Sequence, residues 1–252
     1  MTSEIAPPVA APDRLPRYAS DLPYGWVLGH FAVRDLLRFA PETVLDLRLH
    51  RDLAPDRAAD LRALADRAGV PVRRDDAQIE AKRSKGTARS LATFAKRWRP
   101  LGPDRDHLVL VAPTDAGNLG TTLRTALGLG VRDVAIVGPA DPWSPHATRA
   151  SLGAAFALRL QAHPDLGAYL ATVPGRTPWL LTGDGGTALA EVPPADGPRT
   201  IVAGPEWPGL APAERALGRS VRIPMRPEVE SLNVSVAVGI ALHALARGPD
   251  AA

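Results

Sequence analysis

Glu230-Ser231-Leu232-Asn233-Val234-Ser235-Val236-Ala237 opens an apolar run with helical spacing that extends to residue 247. Two hydroxyls and a carboxamide thus stand at a helix N-terminus, where free backbone N–H groups favour electron-rich atoms. Two earlier segments have the same design. Gly204-Pro205-Glu206-Trp207-Pro208-Gly209 follows the short apolar strand Thr200–Ala203. Asn118-Leu119-Gly120-Thr121-Thr122-Leu123-Arg124 opens a helix after a strand over residues 108–112, with Asn118 placed to cap it. Alone, each has an ordinary structural explanation: a capped helix with a surface Arg, a Pro/Gly turn with an exposed Glu, a final helix capped by Asn or Ser. Three in order, each at a strand-to-loop junction, point to ligand binding at the carboxyl edge of a sheet.

The rest of the chain supports such a sheet. Residues 108–112, 133–137, 179–182 and 200–203 are short apolar runs bounded by turn residues, as buried parallel strands are. Helices over 119–129 and 234–247 intervene, and residues 220–225 read as another strand leading into a loop. An earlier alternating unit has apolar helical spacing over 29–38, a half-buried strand over 43–49, an amphipathic helix over 56–68 stopped by Gly69, and a short strand over 70–73. The expected organisation is a disordered Pro/Ala-rich tail over 1–17, an α/β unit over 18–97, a linker over 98–106 and a second α/β domain over 107–248.

Composition excludes several chemistries. The 252 residues contain no cysteine, so disulfides, thiolate zinc sites and cysteine nucleophiles are ruled out. The histidines have no metal-ligand spacing, so no metal is expected. No apolar run is as long as a membrane span and no signal-peptide pattern opens the chain, so a soluble, cytoplasmic protein is expected. Of 30 basic residues only Lys82, Lys85 and Lys96 are lysines. Arginine's planar fork suits phosphate, although a compositional bias that also raises Ala, Pro and Gly yields the same excess. Seven basic residues fall within the eighteen positions 82–99. Lys82, Arg83, Lys85 and Arg89 are therefore candidate RNA ligands, with Phe94 or Trp98 to stack on a base; a solvated basic face is the alternative. Gly117-x-x-Gly120 lacks dinucleotide-loop spacing, and no lysine completes a phosphate loop.

In this order and at these separations, the three segments resemble the signature motifs of the SpoU/TrmH family of RNA 2′-O-ribose methyltransferases. Residues 117–130 resemble the family's first motif, and Arg149-Ala-Ser-Leu-Gly-Ala-Ala-Phe156 resembles its small-residue segment. The resemblance implies an α/β fold of SPOUT type. Its C-terminal, mostly parallel sheet would carry a deep trefoil knot, preceded by a small ribosomal-protein-like α/β domain that docks RNA. It also implies a homodimer and S-adenosylmethionine as cofactor. By position, Gly204, Ile223 and Leu232 would be backbone contacts to that cofactor, with Met225 nearby and Thr182 and Gly183 on a further loop. Asn118, Arg124, Glu206, Ser231 and Asn233 match the polar catalytic positions. Arg124 is either the base or a phosphate ligand. The implied substrate is RNA, with ribosomal favoured over transfer RNA. The alternative is a non-catalytic RNA-binding or ribosome-assembly factor on the same fold. Three departures stand out: Pro205 removes an N–H donor, Trp207-Pro208 replaces a more polar pair, and Glu228 adds negative charge before the third motif.

Overall fold

The computed structural model describes residues 10–83, 87–194 and 196–245. The chain divides into two compact units. One comprises the N-terminal residues to Arg97 together with Trp143–Ala157, and the other comprises Trp98–Pro142 and the chain from Leu158 on.

The first unit runs β1 (Tyr24–Leu28), α1 (His30–Phe39), β2 (Val44–Leu49), α2 (Pro55–Ala68), β3 (Val72–Arg74), α3 (Asp76–Lys82) and β4 (Ser90–Ala95). The sheet order is β1-β4-β2-β3, with β4 antiparallel to both neighbours and β2 parallel to β3. β4 is buried along almost its whole length, which corrects the reading of Phe94 as a base-stacking side chain. Phe94 is 1% exposed, and its ring packs edge-on against Phe156 at 4.9 Å and Trp143 at 6.0 Å. An aromatic inside a continuously buried strand gains more from burial than from solvent.

The expected disordered tail also needs correction. Residues 1–9 lie outside the described residues, but Leu15 is buried against Trp26, Ile79 and Leu91. The carbonyls of Pro12 and Asp13 accept hydrogen bonds from Arg48, at 2.5 and 3.2 Å. The physical reason is the Arg48 guanidinium. Its side chain is fully buried, so it needs acceptors beyond Asp46 (2.9 Å) and Asp75 (3.0 Å). Asp46 in turn accepts from the Thr93 hydroxyl and pairs with Arg73 at 2.8 Å.

The second unit begins with the stretch expected to be a linker. That stretch is tied down: the N–H groups of Arg99, Leu101 and Gly102 donate to the Leu160 carbonyl (2.8 Å), Gln161 (3.1 Å) and Asp133 (2.7 Å). β5 (His107–Val111), α4 (Ala116–Gly128) and β6 (Asp133–Val137) follow. Next, α5 (Pro145–Ala150) and α6 (Ala154–Ala157) group with the first unit, although the sequence reading assigned them to the second domain. The chain then returns through β7 (Arg159–His163), α7 (Leu166–Ala171), β8 (Trp179–Leu181), β9 (Thr187–Ala188), β10 (Thr200–Ala203), α8 (Pro212–Arg215), β11 (Arg219–Arg222) and α9 (Val234–Leu245). The expected end of the last helix, Arg247, lies outside the described residues.

These seven strands form one sheet of order β7-β6-β5-β10-β8-β11-β9, and every neighbouring pair is parallel. All their carboxyl ends therefore share one edge. The succession β5, β6, β7 builds toward one side while β10 lies on the other side of β5, so the order reverses between β5 and β10. Crevices at such reversals are where parallel α/β sheets bind ligands. One face of the sheet is covered by Leu166, Tyr169 and Leu210 against Val109, Val137 and Val202. Elsewhere α4 packs on α9, whose Ser235, Val238, Leu242 and Leu245 recur at helical spacing and are buried.

Candidate functional site

The reversal between β5 and β10 holds a polar network. Ala112, directly after β5, takes φ 43°, a left-handed conformation costing about 1–3 kcal/mol for a non-glycine residue. It turns the chain into Pro113-Thr114-Asp115. Asp115, not Asn118, caps α4: its carboxylate accepts the Asn118 N–H at 2.6 Å. A cap lies outside the helix, and Asn118 is already within it, so its carboxamide is free to reach across the crevice.

That carboxamide donates to Glu206 on the β10 loop at 2.8 Å. The other Glu206 oxygen accepts the Thr114 hydroxyl at 2.9 Å. The Asn118 side-chain oxygen accepts from the Asn233 amide at 3.0 Å, and the Asn233 oxygen accepts the Ser235 N–H at 2.9 Å. A carboxylate only accepts, so it forces the Asn118 amide group toward itself. Asn118 then offers its oxygen to Asn233, whose own oxygen is left to cap α9. Every donor in the series is thereby oriented from one negative charge. Burial works against charge on Glu206, but hydrogen bonds from Asn118, its own backbone and Thr114 outweigh it and hold the carboxyl below its ordinary value.

A buried second layer supports this one. The Ser235 hydroxyl donates to the Asn118 carbonyl at 3.0 Å and accepts from Thr122 at 3.1 Å. Thr114, Asp115 and Ser235 were missed as site residues by the sequence reading. Asp115 had a signal, an acid just before a helical run. Thr114 had none, because its partner lies 92 residues away.

Of the five expected catalytic residues, Asn118, Glu206 and Asn233 are brought together. Arg124 and Ser231 are exposed, and their side chains have no hydrogen-bond or ion-pair partner among the described residues. No histidine joins the network, and an arginine stays protonated, so the cluster orients groups better than it removes protons.

The expected cofactor residues sit on loops after β10, β8 and β11, which are neighbours because β8 lies between the other two. Ile223, Met225 and Leu232 are only half-buried. Thr182 donates to the Gly185 carbonyl at 3.2 Å, and a Cβ on Gly183 would come within 4.0 Å of the Glu230 carbonyl. Gly204 also serves packing: the space its Cβ would take is filled by Leu210 and Gly209, at 2.8 to 3.1 Å, so the glycine lets its own loop fold back.

The expected RNA ligands scatter over the first unit. Lys82 is turned inward, bonded to the Pro16 carbonyl at 2.5 Å and 5.0 Å above the Trp26 ring; burial, then Arg14, lower its pKa. Arg83 reaches Glu80 at 3.9 Å. Arg89 lines a groove beside α1, and Lys85 lies outside the described residues. Among the described residues no helix is long and apolar enough to cross a membrane, and no group of three or more acidic or His side chains could hold a metal ion.

Residues 106–243, more than half the chain and including all three segments of the site, match the model of the SpoU rRNA Methylase family. The chain belongs to that family. The SpoU match is supported along almost the full length by the 23S rRNA (guanosine-2'-O-)-methyltransferase RlmB of Pseudomonas putida. That relative is 31% identical over 88% of this chain and 95% of its own. An uncharacterized tRNA/rRNA methyltransferase of Synechocystis is 38% identical over 60% of this chain, which spans only 57% of that relative. Two solved structures share the fold. The AdoMet-bound rRNA methyltransferase from Sinorhizobium meliloti has a TM-score of 0.76 at 23% identity, over 88% of this chain and 86% of that one. The SpoU methyltransferase AviRb from Streptomyces viridochromogenes, in complex with AdoMet, has a TM-score of 0.74 at 22% identity, over 88% and 89%.

Proposed function

We propose that this SpoU-family chain is an S-adenosylmethionine-dependent methyltransferase acting on a ribose 2′-OH of RNA, ribosomal RNA in preference to transfer RNA. The observation that carries the reading is the series Thr114–Glu206–Asn118–Asn233, which joins all three motif segments at the reversal of an all-parallel sheet. The residues present suit the cofactor. Half-buried Ile223, Met225 and Leu232 offer apolar cover for a flat base, and the adjoining loops at Thr182, Gly183 and Gly204 offer backbone groups. Pro205 contributes no N–H there.

The cofactor supplies an already activated methyl, so what remains for the protein is alignment and help in losing one proton. Asn118 and Asn233, held in fixed orientation by Glu206, would position the ribose hydroxyl. Arg124, exposed and without an acidic partner among the described residues, would take the phosphate beside the target nucleotide and stabilise the developing alkoxide. Ser231, likewise exposed, stands beside Leu232 to contact substrate or cofactor.

The same reading includes a trefoil knot, a homodimer and a cytoplasmic location beside its ribosomal substrate. The insertion of β10 between β5 and β8, and of β11 between β8 and β9, supports the knot. Val236 (52% exposed) and Ile240 (39%), one turn apart on α9, support the homodimer. The first unit, with Lys82, Arg83, Lys85 and Arg89, would be the RNA-docking part.

Isothermal titration with S-adenosylmethionine, beside the Asn233→Ala variant, tests the proposal. Micromolar binding weakened by the variant is expected. Absence of heat at millimolar cofactor would move the chain to the non-catalytic alternative.

A further inference from the structure

Resting on the reading of the chain as an RNA-modifying enzyme, we infer that a groove in the first unit binds one unpaired nucleotide of the RNA. Its phosphate would sit at the open end of α1 between Arg57 and Arg89, and its base against Phe31. The groove has a volume of about 500 Å³ and is lined by Gly29, Phe31, Asp52, Leu53, Arg57 and Arg89, among others. That is within the range of about 300–1,000 Å³ usual for small-ligand sites.

Three independent features give the groove its chemistry. The first is the start of α1. Its cap position is Gly29, which has no side chain to accept from the first turn, and no acid lies in that turn. The N–H groups of His30, Phe31 and Ala32 therefore lack helical partners and present partial positive charge. Gly29 adopts φ 97°, its own N–H is used by the Ser90 carbonyl at 2.9 Å, and a Cβ there would meet nothing within 4 Å. The glycine keeps the helix end bare and open.

The second feature is charge. Among the described residues Arg57 has no carboxylate partner, and the Arg89 guanidinium bonds only to the Ala88 carbonyl, at 3.3 Å. Asp52 is the acid of the lining, 3.6 Å from His50, and Asp60 lies 3.6 Å from His30 at the start of α1. Neither pairs with the two guanidinium groups, whose forks fit phosphate and which, with the helix end, favour an anion. The third feature is Phe31, 58% exposed yet held in place by the Arg34 guanidinium 5.4 Å from its ring centroid and the edge of His30 at 5.4 Å. An oriented, solvent-facing aromatic ring beside an anion site suits a base splayed from single-stranded RNA, which stacks and is tethered to a phosphate. The sequence reading sought this role in Phe94 or Trp98, and the fold buries Phe94.

The test uses the full chain, a labelled short single-stranded oligoribonucleotide and fluorescence anisotropy over a salt series. Phe31→Leu and Arg57→Gln should each weaken binding about tenfold, and Phe31→Trp should restore it. Arg57→Gln should also lower the slope of log affinity against log salt by about one, whereas Phe31→Leu leaves that slope unchanged. S-adenosylmethionine titration should be the same for all variants. Wild-type RNA affinity in Phe31→Leu and Arg57→Gln would overturn the groove and leave the enzymatic reading standing. No RNA binding by the wild-type chain would overturn both.

Discussion

Each unit is organised around a carboxylate, and the two carboxylates do opposite work. In the first unit Asp46 and Arg48 are out of solvent, with side-chain exposures of 4% and 0%, and each is surrounded by partners that complete its hydrogen bonding. In the second unit Glu206 heads a series of similar bonds, but Glu206, Asn118 and Asn233 remain open to solvent along one edge. A buried charge network has no substitute for a lost member, since water cannot enter, whereas an exposed one can exchange any member for water. Burial thus decides whether a polar cluster acts mainly as structure or leaves its groups able to meet a substrate.

The comparison is tested most severely by Asp46→Ala. It leaves Arg48 buried with one fewer counter-charge, and urea denaturation should show a loss of about 3–5 kcal/mol. A loss under about 1 kcal/mol would erase the contrast between the units. Next in size is Asn118→Ala, which should cost about a hundredfold in methyl transfer through misalignment while changing stability by no more than about 1 kcal/mol. Single-turnover methylation and denaturation of the same preparation separate the two. A smaller effect is expected for Asn233→Ala, where loss of the α9 cap should lower stability by about 1 kcal/mol.

The smallest effect concerns pH. The Glu206 carboxyl is held below the ordinary glutamate value of about 4.5, so its contribution is present above about that pH and is lost as pH falls through the lower folded value. Wild type should therefore lose melting temperature relative to Glu206→Gln only on acidification below that point. A gap that opens instead near neutrality would mean that the carboxylate is not held in its charged form.

Five of the seven strands of the second unit were legible, because a parallel sheet buried on both faces demands continuous apolar runs: Asp133–Val137 and Thr200–Ala203 were located residue for residue, whereas the two edge strands, β7 and β9, went unread. The site was legible in part. Glu206 and Asn233 lie on turn and cap positions that announce themselves, whereas Thr114 and Ser235 matter only because the fold brings distant segments together. In the first unit β1, α3 and β4 went unread. β4 carries no alternation because both its faces are covered, and Leu15 could not be distinguished from a polar tail until Arg48 was found to need the carbonyls beside it.

The excursion through α5 and α6 has a consequence for how the chain is made. Phe94 finishes its packing on Trp143 and Phe156, which are synthesised only after β5, α4 and β6. During synthesis the Phe94 side of the amino-terminal core cannot close until residue 156 has been made. A gene cut at residue 98 would yield a fragment with an unroofed aromatic ring, so the two halves of this protein are not modules that recombination can trade one for one.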